Sequence, residues 1–336
     1  MPECARVWGM KLLVLGGSDF VGRAFAEEAL SLGHDVTVFN RGTRAAPVGA
    51  RALRGDRSAP GGLAAIQRGE WDVVVDTWSS APSAVRDAAN LLAGRAEHYV
   101  YVSSRSVHPY PTAAGADESA PVVDASPDDG GDVDYVHAKA GGELAAVAAF
   151  GDRALLARPG LILGPYENIG RLPWWLSRIA RGGTVPAPGS PGLGLQYIDA
   201  RDLALWCLDA AGRGLGGAYN TVSVPEFTTM GELLETCVRV TGSDAELRWI
   251  DAGAVLAAGV QQWTDLPIWA VDEGHETMHQ GDVSKAVAAG LRCRPVEETV
   301  ADTWTWLTGI GGQAPPRPGR PPVGLTPEAE AKLLSL

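Results

Sequence analysis

Five short runs rich in β-forming residues punctuate the first half of the chain: KLLVL (11–15), DVTVF (35–39), DVVVD (72–76), HYVYVSS (98–104) and RALLARP (153–159). Stretches of helical period lie between them, at 20–32, 60–69, 82–94 and 135–150. Strands that are apolar almost throughout must be buried on both faces, and a parallel sheet covered by helices on each side provides that burial. Right-handed crossovers then give a doubly wound α/β fold whose ligands bind at the carboxyl ends of the strands. From about residue 165 the alternation is lost. Helical segments at 172–182, 200–211, 228–241, 282–289 and 295–308 mix with short strands at 218–222 and 247–250, as in a smaller α+β lobe.

The expected organisation is an N-terminal extension (1–9) and a parallel-sheet Rossmann domain for dinucleotides (10–165). A substrate-binding lobe follows (166–310), which exchanges a strand with the first domain, and then a Pro/Gly linker with a short C-terminal helix (311–336). The linker GGQAPPRPGRPP (311–322) cannot pack as a regular element, and TPEAEAKLLSL offers a Thr cap with Pro at the first helical position. That helix reads as a peripheral tail available to a neighbour.

Of 336 residues, 46% are hydrophobic and 20% charged, which is ordinary for a soluble globular protein. The net charge of −12 argues against a nucleic-acid partner. Four cysteines (Cys4, Cys207, Cys237, Cys293) form no C-x-x-C pair, so neither a zinc site nor a disulfide framework is expected. The start is too short and polar for a signal peptide, and no apolar run approaches a membrane span of roughly 18 residues. A cytoplasmic protein acting on a small molecule, without membrane or nucleic-acid partner, is the expectation.

LGGSDFVG (15–22) joins the first strand to the first helix, an arrangement that points backbone N–H groups and a helix N-terminus at a pyrophosphate. Gly16 permits the turn, Gly22 lets the helix lie close to the sheet, and the backbone of Ser18, Phe20 and Val21 would hold the phosphates. Asp19 stands where a third glycine is expected. Its simpler reading is an N-cap; the alternative is a salt bridge to Arg41 or Arg57 that orders the adenosine pocket. The second strand ends at Asn40–Arg41, where an acid usually grips the ribose of NAD. A missing carboxylate and an added guanidinium favour NADP(H), with NAD(H) as the alternative. Asp56, after a third strand, is placed to accept from the adenine amine.

Tyr135 and Lys139, in YVHAK, share one face of a helix, and YVSSRSVH (101–108) ends a strand. An ammonium one turn away would lower the tyrosine pKa from about 10 and let the phenol exchange a proton with substrate. Together, the glycine-rich turn, the V-S-S strand end and Y-x-x-x-K resemble the extended short-chain dehydrogenase/reductase family, the NAD-dependent epimerase/dehydratase group. The resemblance spans roughly residues 10–310, including QYIDARDLA (196–204). It implies that Tyr135 is the acid/base, that Lys139 binds the nicotinamide ribose, and that Ser104 orients the reacting group. Thr77, Trp78 and Ser79 would lie along the cofactor, and Pro159 and Gly160 beside its carboxamide. A homodimer is also implied.

Departures from the family pattern bear on substrate. Relatives acting on nucleotide sugars carry Asn where Leu161 stands and Arg where Leu195 stands, so a diphosphate would meet two apolar residues. His108 replaces a tyrosine and faces substrate either as a second proton donor or as a structural histidine. Trp78, Trp174, Trp175, Trp263 and Trp269 are candidate pocket walls. The loop 116–134 carries seven acids and no base, and would draw in a cationic substrate if it faced the site. The expected activity is NADP(H)-dependent reduction of a small carbonyl or imine compound. The alternatives are an epimerase or dehydratase with recycled NAD, and a non-catalytic relative of chloroplast-type stem-loop RNA-binding proteins, which share the GG-x-x-F-V-G…NRG opening.

Overall fold

The computed structural model describes residues 9–271, 275–315 and 322–336; the extension before Gly9, with Cys4, and linker residues 316–321 lie outside the described residues. In chain order the first half runs β1 (Lys11–Leu15), α1 (Phe20–Ser31), β2 (Asp35–Asn40), β3 (Arg51–Arg54), β4 (Trp71–Asp76), α2 (Pro82–Leu92), β5 (Ala96–Val102), α3 (Tyr135–Phe150) and β6 (Ala154–Arg158). The second half continues with β7 (Leu161–Leu163), α4 (Arg171–Ala180), β8 (Thr184–Pro188), β9 (Gly194–Leu195), β10 (Tyr197–Asp199), α5 (Ala200–Gly212) and β11 (Gly217–Asn220). It ends with β12 (Thr228–Thr229), α6 (Met230–Thr241), β13 (Glu246–Ile250), α7 (Ala252–Ala257), α8 (Ser284–Ala288), α9 (Val296–Gly309) and α10 (Pro327–Leu334).

Seven strands form one parallel sheet in the order β11-β6-β5-β4-β1-β2-β3. This is the doubly wound Rossmann arrangement, and its strand order reverses between β1 and β4, where a crevice opens above the carboxyl ends. Alternate residues of each strand serve opposite faces. Leu12, Val14, Val73, Val75 and Val100 pack with Phe25 of α1 and Leu203 and Trp206 of α5. Leu13, Leu15, Val74, Tyr99 and Tyr101 pack with Val85 and Leu92 of α2 and Ala145 of α3. Both α5 and the edge strand β11 come from the second half of the chain.

A separate core under the second lobe gathers Trp175, Leu176, Tyr197, Leu233, Trp269, Val300 and Leu333. Helix α10 therefore packs on its own chain rather than waiting for a neighbour. Glu330 forks onto Arg178 at 2.6 and 2.8 Å, and Leu333 is fully buried. No helix among the described residues is long and apolar enough to cross a membrane.

One expectation fails locally, and the third strand has no apolar run of its own. The helix at 60–69 shrinks to a single 3₁₀ turn, Ala64–Ile66, because two glycines lead it and another ends it. Strand β3 is the edge strand RALR, largely exposed, and so carries no apolar signature.

Arg57, expected at the adenosine pocket, is buried instead. Its guanidinium forks onto Asp76 at 2.7 and 2.8 Å and donates to the Ala84 carbonyl at 2.7 Å. Tyr99 Oη and the Trp78 N–H complete the Asp76 carboxylate, at 2.6 and 2.9 Å. Burial alone would push this carboxyl up; the Arg57 charge and the hydrogen bonds outweigh it and hold the group below the ordinary carboxylate range. Arg57→Ala leaves a buried charge unpaired and is expected to cost about 3–5 kcal/mol in urea unfolding. A loss under about 1 kcal/mol would mean that the pair contributes no more than an exposed one.

Candidate active site

At the end of β1 the chain turns through Gly16, whose φ of +101° favours glycine. A Cβ on Gly16 would lie 2.5 Å from Thr77 Oγ1, and one on Gly22 would lie 2.2 Å from the Gly16 carbonyl oxygen. Loop, strand end and first helical turn are thus pressed together, and Gly16, Asp19, Phe20, Val21 and Gly22 line the cleft above them. That close-fitting cradle at a helix N-terminus suits a pyrophosphate.

Asp19 has φ −142° and ψ 142°, an extended conformation that any residue adopts, so no third glycine is needed. It stands at the N-cap position but makes no capping bond. Its carboxylate pairs with Arg44 at 2.8 Å, not with Arg41 or Arg57, and accepts from Asn168 of the second lobe at 2.6 Å. Behind the loop, Asn40 Nδ2 donates to Ser18 Oγ at 2.5 Å while its Oδ1 accepts the Gly42 N–H at 2.7 Å. Arg41 is exposed, lines the cleft and forms no ion pair among the described residues. Asp56 folds back on Ser58, accepting from its hydroxyl and its N–H at 2.5 and 3.0 Å.

Thr77 and Ser79 line the cleft at the end of β4, with the Thr77 hydroxyl donating to the Leu15 carbonyl at 3.1 Å. Trp78 does not line the cleft. Its indole stacks on Arg57, 5.0 Å to the ring centroid, and donates to the Ala81 carbonyl at 3.0 Å. Only its backbone carbonyl reaches the site.

Ser104 caps the turn after β5: Oγ accepts the Ser106 N–H at 3.1 Å, which leaves its own proton to donate. Asp134 caps α3 by accepting from Val136 and His137, so the helix begins at Tyr135. Tyr135 is 42% exposed, lines the cleft, and its hydroxyl has no hydrogen-bond partner among the described residues. One turn on, Lys139 is 3% exposed; Nζ donates to the carbonyls of Trp78 and Val102, both at 2.6 Å. Gly160 and Leu161 line the same cleft, and the Pro159 carbonyl accepts the Arg105 N–H at 2.9 Å.

His108 is 3% exposed, and its Nδ1 meets the Pro121 carbonyl at 2.8 Å. The proton must be on Nδ1, so Nε2 is a bare acceptor, buried without a partner. Burial pushes this histidine below its ordinary pKa, against the Pro121 hydrogen bond and with help from Arg158 and Arg105. Trp174 and Trp263 line the cleft. Trp175 and Trp269 do not: both belong to the second core, and Trp175 Nε1 donates to the Pro267 carbonyl at 2.8 Å. Leu195 is likewise a core residue, and its neighbour Gln196 faces the cleft.

The acids of 116–134 do not line the cleft. Asp134 caps α3, Asp128 pairs with Arg86 at 2.6 Å, and Glu118 accepts the Asn220 N–H at 2.6 Å. The expected attraction for a cationic substrate therefore has no structural footing. Arg105, Gln196 and His279 are among the cleft residues that sequence reasoning passed over. Arg105 and Gln196 stand inside motifs read for their neighbours Ser104 and Leu195; His279 belongs to no motif at all.

The cleft encloses about 1580 Å³. That exceeds the roughly 300–1,000 Å³ of a single small-molecule site and leaves room for two ligands.

The model of the NAD dependent epimerase/dehydratase family matches residues 12–221. No curated protein sequence matches the chain. A Burkholderia cenocepacia J2315 protein described as an epimerase superimposes with TM-score 0.68 at 20% identity, over 90% of this chain and 99% of its own. A UDP-N-acetylglucosamine 4-epimerase from Methanobrevibacter ruminantium M1, in complex with UDP-N-acetylmuramic acid, gives 0.67 at 17% identity, over 90% and 100%. The Bordetella bronchiseptica enzyme WbmF, in complex with NAD+, gives 0.63 at 17% identity, over 91% and 94%. At these identities the likeness is one of fold.

Burial lowers His279 from the ordinary 6.5 to about 4. The unfolded chain takes up a proton that the folded one refuses, so this contribution is whole above pH 6.5 and lost as pH falls toward 4. Urea-unfolding stability should drop by about 3 kcal/mol across that window. His279→Asn, which keeps an acceptor for the backbone, should flatten the drop; an unchanged slope would place the titration elsewhere.

Proposed function

Because the chain belongs to the NAD-dependent epimerase/dehydratase family, we propose that its cleft binds a nicotinamide dinucleotide and performs oxidoreduction at one carbon of a small molecule, with the cofactor retained and reused. The observation that carries this reading is the anchored Lys139 ammonium, one helical turn from the unpartnered Tyr135 hydroxyl at the carboxyl ends of the strands. When bound, the dinucleotide supplies a hydride acceptor and donor. The Gly16–Gly22 turn would hold its pyrophosphate, Asn40 and Arg41 flank its adenosine ribose, and Thr77 and Ser79 lie along it.

Tyr135 takes the proton of a substrate hydroxyl and returns it to the oxygen of the carbonyl form. The Lys139 charge counters the negative charge on the phenol oxygen while the proton is away. Ser104 Oγ, with its lone pair committed to the Ser106 N–H, donates its proton to the same substrate oxygen. WbmF is in complex with NAD+, which supports NAD as the dinucleotide. A second reading, net reduction by NADP(H), is favoured by the neutral Asn40 at the end of β2 and the unpaired Arg41 beside it.

Nucleotide released by heating the purified protein distinguishes the two. Retained NAD that no substrate depletes is expected, whereas stoichiometric oxidation of added NADPH with a carbonyl compound would establish net reduction. Tyr135→Phe should lower kcat by about 10²–10⁴-fold with dinucleotide affinity intact. Parent-like turnover in that variant, or no dinucleotide binding in the parent, would overturn the proposal.

A further inference from the structure

Among the described residues, four arginines with little side-chain exposure each meet an acid. Arg57 meets Asp76, Arg158 meets Glu143, Arg178 meets Glu330 and Arg294 meets Asp202, each at 2.6–2.8 Å. Arg105 is the exception. It reaches from the turn after Ser104 to the second lobe, where Nη1 donates to Gln196 Oε1 and to the Met278 carbonyl, both at 3.2 Å. Its Nε is buried without an acceptor, and no carboxylate among the described residues lies within ion-pairing distance. Gly281 presses against the guanidinium so closely that a Cβ there would fall 1.9 Å from Nη2, which fixes the group in place. Arg105 is half-buried, and an unpaired charge drawn partly out of water is unfavourable on general grounds.

A second orphaned donor stands on the same framework. The Gln196 backbone N–H lies 3.0 Å from His279 Nδ1, closer than the 3.3 Å contact of that nitrogen with the Gln196 carbonyl. An amide N–H can only donate, so Nδ1 is bare and the ring proton is on Nε2. His279 is 8% exposed, and Nε2 is buried with no partner. Gln196 is itself locked, its Nε2 donating to the Ser223 and Gly281 carbonyls and its Oε1 accepting the Gly281 N–H. One residue thus positions both donors, and Arg105, Gln196 and His279 line the cleft with Ser104 and Tyr135. The only acid among the described lining residues is Asp19, in the pyrophosphate loop, already paired with Arg44.

We propose that the substrate carries an oxyanion, a carboxylate or a phosphate, received by the Arg105 guanidinium and the His279 Nε2–H. The anion supplies the charge that Arg105 lacks and the acceptor that both orphaned donors lack. This deepens the function proposed above and rests on it: the oxyanion belongs to the molecule whose oxygen meets Tyr135. The acidic surface of the chain does not oppose it, because the cleft is lined by Arg41, Arg105, Lys139, Arg171, Arg178 and Arg181.

The test is calorimetric titration of the NAD-saturated full chain with sodium malonate, with inorganic phosphate and with neutral malonamide. Saturation with NAD keeps the pyrophosphate cradle from reporting phosphate. One anion should bind, the tighter of the two naming the chemistry, and malonamide should not. Arg105→Gln should weaken that binding at least tenfold while NAD affinity and Tm stay at parent values. Should Arg105→Gln not fold, His279→Asn, which keeps an acceptor for the Gln196 N–H, should still weaken it severalfold. Equal anion binding by parent and variant, malonamide binding as well as malonate, or no anion binding at tens of millimolar would each overturn the proposal. Failure of NAD to bind would overturn only the cofactor reading, since malonate titration of the NAD-free chain still reads Arg105.

Discussion

The contact on which the site depends is the one that the missing side chain of Gly22 permits. The first turn of α1 lies against the Gly16 carbonyl with no space for a methyl group, and Gly16 in turn lies against Thr77. That contact fixes the helix N-terminus relative to the ends of β1 and β4, at the reversal of strand order. The proposed position of a dinucleotide rests on it, and with it the roles proposed for residues at the neighbouring strand ends. Tyr135 and Lys139 matter because α3 starts beside this crevice, and Ser104 because β5 ends there.

Charge is distributed according to a consistent rule. Arg57, Arg158 and Arg178 are matched with acids inside the protein, whereas Arg41 and Arg105 of the cleft form no ion pair among the described residues. The net charge of −12 does not describe the cleft, whose described lining residues include one acid, Asp19, against six cations. The acidic loop 116–134 illustrates the difference. It precedes Tyr135 in sequence, yet none of its carboxylates lines the cleft, and three of them are spent on a helix cap, a surface pair and a backbone amide.

The doubly wound sheet was legible because its central strands are buried on both faces and say so in every residue. Strand β3 was placed only by its position before Asp56, since the exposed edge RALR carries no apolar run of its own. The Tyr135, Lys139 and Ser104 positions were legible because spacing within a single element fixes which side chains share a face. Trp78 and Arg57 were misplaced for the complementary reason. At a strand end, adjacent residues point to opposite sides, so Thr77 faces the cleft while Trp78 turns to the helices with Arg57. Asp19 met neither a cap nor the expected arginines because its partners, Arg44 and Asn168, depend on how the two lobes meet. The Arg105, Gln196 and His279 group joins three distant segments, and no local pattern encodes such a meeting.

Helix α5 and strand β11 give the polypeptide a plaited construction. Residues 200–220 leave the second lobe to cover one face of the sheet and to close its edge beside β6. A fragment ending near residue 165 would therefore keep the cleft-lining loops of the first half yet show water the apolar surface over Leu12, Val14 and Val100, with β6 unpaired along one side. Sheet and lobe are thus tied together by this returning segment.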